Sequence, residues 1–352
     1  MSATKRILLV SYAYAPGVGG IETVSRLLVA EFVRAGHQVT VLTWTASDGS
    51  NDGPCPVVRH PGLLALLRWT AWAEVVFHNN ISLTAAWPLM LLRRPWVVAH
   101  HTWIARPTGQ VTWRDRLKLM LTRKAVNISI SNAIAAQLDC PSTVVPNPYE
   151  HTRFTVLPGI QRDRDLVFLG RLVSDKGVDV LIAALALLQS EGLTPSCMVI
   201  GNGPEEEPLR LQALAAGLDQ QITFAGVLRG QTLVEQLNRH RVLVVPSRWR
   251  EPFGVVALEG IACGCVAVVS ADGGLVDAAG PCGRAVANGN APELARCLRA
   301  LLTDPALLAH LRAGAEAHLA RHVSSTVAQR YLEIIAQATD ARRITMTART
   351  QT

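Results

Sequence analysis

Residues 166–201 read LVFLGRLVSDKGVDVLIAALALLQSEGLTPSCMVIG. LVFLG and CMVIG are unbroken apolar runs of strand length. Between them the apolar residues recur at helical spacing. A strand without polar alternation is covered on both faces, and covered strands joined by a helix run parallel. The stretch is therefore a strand–helix–strand unit. Its rhythm continues outward in both directions. C-terminal to it, strands are expected at 221–226, 242–246 and 266–270, with helices at 204–216, 230–238 and 254–263. Helical patterns follow at 291–302, 305–321 and 324–338. Towards the N-terminus, strands at 6–12, 38–43, 74–77, 96–100, 126–129 and 142–145 alternate with helices at 21–35, 81–92, 112–124 and 131–138. The segment PNPYEHTRFTVLPGIQ, 146–161, breaks the rhythm with three prolines and no period, as a linker does. The fold class is α/β: two doubly wound, Rossmann-like domains, over 1–150 and 156–323. The polar residues 340–352 read as a disordered tail.

The chain length of 352 residues suits two such domains. At 49% hydrophobic and 17% charged residues it has enough apolar surface to fold. The net charge of +7 is uneven. Residues 1–155 hold fifteen Lys/Arg against eight Asp/Glu; the remainder holds nineteen of each. Seven of the eight Trp also lie in the first part. The surplus points to an anionic partner for that half. The seven Cys have no ligand spacing, which fits buried thiols in a reducing cytoplasm. The first apolar run stops at Tyr12, too short for a signal peptide, and no stretch of eighteen apolar residues is present. A cytoplasmic chain without a membrane span is expected.

In doubly wound sheets ligands bind beyond the carboxyl ends of the strands. The distinctive residues sit there. Gly17, Gly19 and Gly20 lie between the first strand and its helix. They suit backbone N–H contact with a phosphate or sugar, or simply a flexible turn. Arg171 and Lys176 flank the next domain's first turn. They suit a diphosphate, or form a solvated pair of cations. Gly201 and Gly203 end a strand and permit a close backbone approach. Glu251 and Glu259 stand in EPFGVVALE (251–259). Eight residues of helix rise about 12 Å, too far for a hydrolase acid/base pair. They read as two contacts along one extended ligand. His100 and His101 end a strand with no carboxylate beside them and no HExxH, which argues against zinc. Asp163-Arg164-Asp165 precedes its strand and reads as a solvated turn. Neither G-x-G segment carries the third glycine of a dinucleotide fingerprint, so a nicotinamide oxidoreductase is set aside. No base-reading module is present, so nucleic acid is not an expected partner.

Together, GVGGIE, WVVAHHTW, SNAIAAQL, VVPNPYE, GRLVSDKG and EPFGVVALE resemble the retaining glycosyltransferases of family 4, the group 1 transferases with the GT-B fold. In that architecture two Rossmann-like domains face a cleft. The resemblance covers nearly the whole chain. It implies that Arg171 and Lys176 hold the diphosphate of a UDP-, GDP- or ADP-sugar, and that Glu259 holds the ribose. Glu251 would contact the transferred sugar, beside the amides of Phe253 and Gly254. His101 would support the reacting centre, and Gly20 and Gly203 would lie near the donor. The resemblance implies retention, no divalent metal, no cofactor, and a last helix, 324–338, crossing back onto the first domain. Asp277, the stretch CGCVAVVS (263–270) in place of G-x-P, and Thr102 depart from the usual pattern, which leaves sugar and acceptor open.

The basic helix TWRDRLKLMLTRK (112–124) places Trp113, Leu117, Met120 and Leu121 on one face, flanked by Arg114, Arg116, Lys118, Arg123 and Lys124. That pattern suits an anionic membrane surface or a lipid-linked acceptor, at the inner face of the cytoplasmic membrane. It also suits an ordinary helix packed on its own sheet. The rival to a transferase is a non-catalytic protein of the same fold that binds a nucleotide sugar or a membrane surface.

Overall fold

Seven parallel strands build the first sheet: β1 (Arg6–Ser11), β2 (Gln38–Thr43), β3 (Val57–Arg59), β4 (Val75–Asn79), β5 (Trp96–His100), β6 (Val126–Ser129) and β7 (Ser142–Val144). Their order is β3-β2-β1-β4-β5-β6-β7. The computed structural model describes residues 3–17, 19–49, 53–105 and 111–350. They form two compact units, Met1–Pro148 with Ser324–Thr352, and Tyr149–Val323.

Side chains alternate across a strand, and β1 shows the consequence. Ile7 and Leu9 enter one core; Leu8 and Val10 enter the other. On the Ile7 side lie helix α1 (Gly20–Arg34) and the C-terminal helix (Ser324–Thr350). On the Leu8 side lie α2 (Leu63–Trp72), α3 (Leu83–Leu92) and α4 (Trp113–Thr122). The short α5 (Asn132–Ala135) links β6 to β7, its first turn capped by the Ser131 hydroxyl, which accepts from the Ile134 amide at 3.1 Å.

The C-terminal helix inserts Val327, Tyr331, Ile334 and Ile335 into the core, with Tyr331 edge-on to Phe77 at 5.6 Å. It does not stop near 338. It continues to Thr350, where a disordered tail was expected. No Gly or Pro interrupts the sequence over this span, so a docked helix propagates one hydrogen bond per residue. Residues 351–352 lie outside the described residues.

The second unit carries six parallel strands: β8 (Arg164–Leu169), β9 (Cys197–Ile200), β10 (Ile222–Gly226), β11 (His240–Val245), β12 (Val266–Ser270) and β13 (Gly283–Val286). Their order is β10-β9-β8-β11-β12-β13. Its helices are α6 (Val178–Ser190), α7 (Glu206–Ala215), α8 (Gly230–Arg239), α9 (Val255–Ala262), α10 (Leu275–Ala279), α11 (Ala291–Thr303), α12 (Pro305–Ala313) and α13 (Ala315–Ala320). One large core runs from Leu166 through Leu185 and Val244 to Leu301. The expected single helix 305–321 is two, because the chain turns at Gly314.

Both strand orders reverse direction once, between β1 and β4 and between β8 and β11. At such a switch point the loops leave in opposite directions and open a crevice at the carboxyl ends.

Candidate active site

In the second unit the crevice lies between the loops after β8 and β11. A 3-10 turn, Ser174–Lys176, follows β8. It brings the Lys176 ammonium into an ion pair with Glu251, which comes from the loop after β11. The Ser247 hydroxyl donates to the same carboxylate oxygen, Oε1, at 3.1 Å. Glu251 Oε2 accepts no hydrogen bond among the described residues. Lys176 and Glu251 remain partly open, at 24% and 15% exposure. Arg171 is exposed and makes no ion pair among the described residues. Lys176 and one half-used carboxylate therefore meet where a charged, hydroxyl-rich ligand can reach them, and Arg171 is exposed two positions after β8.

The backbone of Glu251 is fixed too. It bridges Gly273 in parallel, and its carbonyl accepts from the Gly274 amide at 2.7 Å. Two loops thus form one small platform. Gly254 caps α9 at φ +112°, a conformation that favours glycine, and a Cβ there would strike the buried Leu275. The amides of Phe253 and Gly254 donate no hydrogen bond among the described residues. The Phe253 ring is buried against His322, at 5.8 Å, and His322 against His318, at 4.8 Å.

Glu259 sits one turn from the end of α9. Burial, then the neighbouring Glu150, raise its pKa from 4.5 to about 7, opposed by Arg153. The loop glycine Gly203 has a different local reason. A Cβ on it would overlap the backbone of Leu172, so the close approach it permits is to its own chain. Asp163 pairs with Arg239 and Asp165 accepts from the Ser196 amide at 3.0 Å. The D-x-D segment is occupied by structural contacts.

In the first unit the switch point holds a pocket of about 680 Å³. Ser11, Tyr12 and Ala13 come from the end of β1; Asn79 to Thr84 follow β4; Trp113, Arg114 and Lys118 come from α4. Asn80 adopts φ +69°, and its Oδ1 accepts the amides of His101 (2.7 Å) and Thr102 (3.2 Å). The loop after β5 is thereby tied to the end of β4. His101 is 3% exposed, and its pKa falls to about 3, from burial first and His100 second, with a hydrogen bond to Asn147 opposing. It is a neutral imidazole at ordinary pH. Gly20 opens α1, and nothing among the described residues lies within 4 Å of where its Cβ would stand.

Helix α4 corrects one expectation. Trp113, Leu117, Met120 and Leu121 do not share a partner. Leu121 is buried and Leu117 packs on the core, whereas Trp113 and Met120 are exposed at 68% and 52%. The sheet-facing side is centred on Asp115 and Thr122, because Asp115 folds back to cap the helix through the Thr112 amide and hydroxyl. Of the six basic-helix residues, Trp113, Arg114 and Lys118 line the pocket; Arg116 and Lys124 are exposed away from its lining; Arg123 pairs with Asp139.

Residues 156–318 match the model of the family described as glycosyl transferases group 1. The second unit is a group 1 glycosyltransferase domain. The similarity to curated relatives extends beyond that unit. It is 27% identical over 361 residues to a glycogen synthase of Mycobacterium tuberculosis, covering 86% of this chain and 87% of the relative. It is 25% identical over 368 residues to the GDP-mannose-dependent monoacylated alpha-(1-6)-phosphatidylinositol monomannoside mannosyltransferase of Corynebacterium glutamicum, covering 91% and 94%. Among solved structures, HepE of Anabaena in complex with UDP superposes with a TM-score of 0.79 at 20% identity, over 94% of this chain and 100% of that one. The fold is the GT-B architecture of such neighbours.

Within the second unit, Lys176 and Glu251 come together, Phe253 and Gly254 follow Glu251 in the same loop, and Arg171 is exposed just after β8. Glu259 lies deeper in α9. His101 and Gly20 belong to the other unit. The residues not anticipated are Ser247, which donates to Glu251, and the pair Asn79 and Asn80. The sequence signal for the pair was an amide doublet directly after an apolar strand.

Proposed function

We propose that this glycosyltransferase moves a sugar from a nucleoside diphosphate sugar to an acceptor hydroxyl, with retention of configuration and without a divalent metal. The observation that carries the reading is the convergence of Lys176, Ser247 and Glu251 at the β8/β11 switch point. Arg171 and Lys176 offset charge developing on the leaving diphosphate, the kind of contribution that dominates many active sites. Glu251, through its unused oxygen, accepts a hydroxyl of the transferred sugar. The free amides of Phe253 and Gly254 meet the same ligand at a helix N-terminus. Glu259 accepts the ribose hydroxyls. In the transfer step the bond from the anomeric carbon to the diphosphate oxygen breaks, and a bond to the acceptor oxygen forms on the same face. The acceptor proton passes to the departing phosphate oxygen. The binding of UDP by the Anabaena neighbour, and the sugar-nucleotide dependence in the name of the Corynebacterium relative, support the donor class.

Lys176→Ala and Glu251→Ala should each lower turnover by about 10²-fold or more. Fold stability should change by less than about 1 kcal/mol, since the pair is partly solvated. Turnover assays with a panel of UDP-, GDP- and ADP-sugars, alongside thermal melts, check both parts. Unchanged turnover in either variant would sink the site assignment, whereas donor binding without turnover by the wild type would favour the non-catalytic rival.

We propose further that the acceptor is a lipid-linked or cell-envelope glycan, met at the cytoplasmic face of a membrane. Exposed Leu63, Leu64, Met120, Arg116 and Lys124 in the first unit support this, as an apolar and basic surface suits anionic lipid. No helix among the described residues is long and apolar enough to cross a membrane. Liposome sedimentation should show binding to anionic vesicles and none to neutral ones. Equal binding to both, or none to either, would refute it.

A further inference from the structure

The first-unit pocket carries a chemistry that the donor site does not explain. Among the described residues its lining contains two cations, Arg114 and Lys118, and no carboxylate. Neither cation makes an ion pair among the described residues. Other basic residues of this unit are engaged: Arg6 with Glu74, Arg34 with Glu31, Arg123 with Asp139, and Arg59 and Arg94 with backbone carbonyls. The carboxylate nearest in sequence, Asp115, accepts from the Thr112 amide and hydroxyl at the helix start. Arg114 and Lys118 are four residues apart on α4, so they occupy neighbouring positions one turn apart. That spacing fits one compact anion between them.

The rest of the lining is not built for a bare ion. Ile21, Ile81 and Leu83 supply apolar walls. Trp113 and Tyr12 present exposed rings, Tyr12 stacked on Trp44 at 5.8 Å and Arg114 lying over Trp113 at 5.3 Å. An aromatic face beside an apolar wall suits the carbon face of a sugar or cyclitol ring. Asn79 lies at the floor, 2% exposed. Its Nδ2 donates to Ser25, while its Oδ1 accepts nothing among the described residues. A buried carbonyl oxygen without a donor is what a ligand hydroxyl completes. The pocket volume of about 680 Å³ is in the range of small-ligand sites.

We infer that this pocket takes an acceptor ring bearing a compact anionic group, a phosphate or a carboxylate. Arg114 and Lys118 hold the anion, and Trp113 and Tyr12 flank the ring. The inference rests on the transferase reading only for the word acceptor; the binding chemistry stands on the pocket itself.

Calorimetric titration of the full chain tests it without turnover. The probes are glucose 6-phosphate, glucuronate, a short-chain phosphatidylinositol below its micellar concentration, inorganic phosphate, and methyl glucoside as the uncharged control. At least one ring-bearing anion should bind tenfold or more tighter than methyl glucoside and than inorganic phosphate. A soluble sugar phosphate or the lipid headgroup as the tighter probe would identify the source of the anion. Arg114→Gln and Lys118→Gln should each weaken that binding about tenfold, with donor affinity unchanged. Both side chains lie on the helix surface, and circular dichroism confirms the fold. Methyl glucoside binding as tightly as the anions, or a double variant with unchanged affinity, would overturn the inference. Inorganic phosphate binding as tightly as the ring-bearing anions would overturn it as well. Loss of donor binding with the anion site intact would count against the transferase reading and leave the pocket standing.

Discussion

At the scale of single residues, the two carboxylates of EPFGVVALE stand in different surroundings. Glu251 has a lysine and a serine on one oxygen. Glu259 has burial and Glu150 against it, and its pKa rises from 4.5 to about 7. A carboxyl with a raised folded-state pKa keeps its proton longer when folded than when unfolded. Folding then takes up protons between those two values, and this group's contribution to stability falls as pH rises through about 7. Glu259→Gln removes the titration. The variant should gain on the wild type between pH 5 and pH 8, read as the difference in urea midpoint at each pH. A gap that stays constant would show that Glu259 is not desolvated. The motifs around both residues were legible because their spacing is local: GRLVSDKG and EPFGVVALE each occupy one turn and the start of one helix. The pairing of Lys176 with Glu251 was not, because the two stand 75 positions apart and only the strand order makes them neighbours. Asn79 and Asn80 escaped for a related reason. An amide doublet after a strand reads as turn chemistry until β4 is known to lie beside β1.

At the scale of elements, the long covered strands and amphipathic helices could be read from their periodicity, and the short or atypical ones could not. β3 has three residues, all half-buried at a sheet edge, too few to show a period. α2, LLALLRWTAW, is apolar nearly all round and has no side-chain cap, so neither stripe nor start signal marks it. α10 and β13 have five and four residues. The C-terminal helix shows how packing extends a readable pattern. Its Tyr331 is fully buried, and the hydroxyl finds no partner among the described residues; burial drives its pKa up, beyond the ordinary range. An unpartnered buried hydroxyl costs about 1–3 kcal/mol. Tyr331→Phe should therefore leave stability unchanged or raise it by about 1 kcal/mol. Tyr331→Ala should cost about 3–5 kcal/mol through the cavity beneath Phe77. Denaturant unfolding of both variants decides the matter. A loss of more than about 1 kcal/mol in the Phe variant would mean that the hydroxyl is satisfied after all.

At the scale of the whole molecule, the uneven charge and the uneven tryptophan content describe one division. The residues that would hold the donor diphosphate, Arg171 and Lys176, lie in the electrically balanced part; the surplus cations lie with the pocket of the other unit. Seven Trp belong to the first unit and Trp249 alone to the second, four positions after β11 in the loop that carries Glu251. Tryptophan emission therefore reports mainly the first unit, whereas far-ultraviolet dichroism reports both. Each unit encloses its own core, and chains with two cores commonly depart from a single two-state transition. Urea unfolding followed by the two probes should give curves that do not coincide. A donor that binds only the second unit should then stabilise that unit by about 2.7 kcal/mol at a hundredfold excess over Kd. Whichever of UDP-, GDP- or ADP-glucose binds should shift the dichroism curve more than the emission curve. Glucose 6-phosphate, if the first-unit pocket takes anionic rings, should shift emission more than dichroism. Coincident curves moved equally by both ligands would mean that the chain unfolds as one body, and the division of labour between the units would then have to be sought in variants rather than in melting.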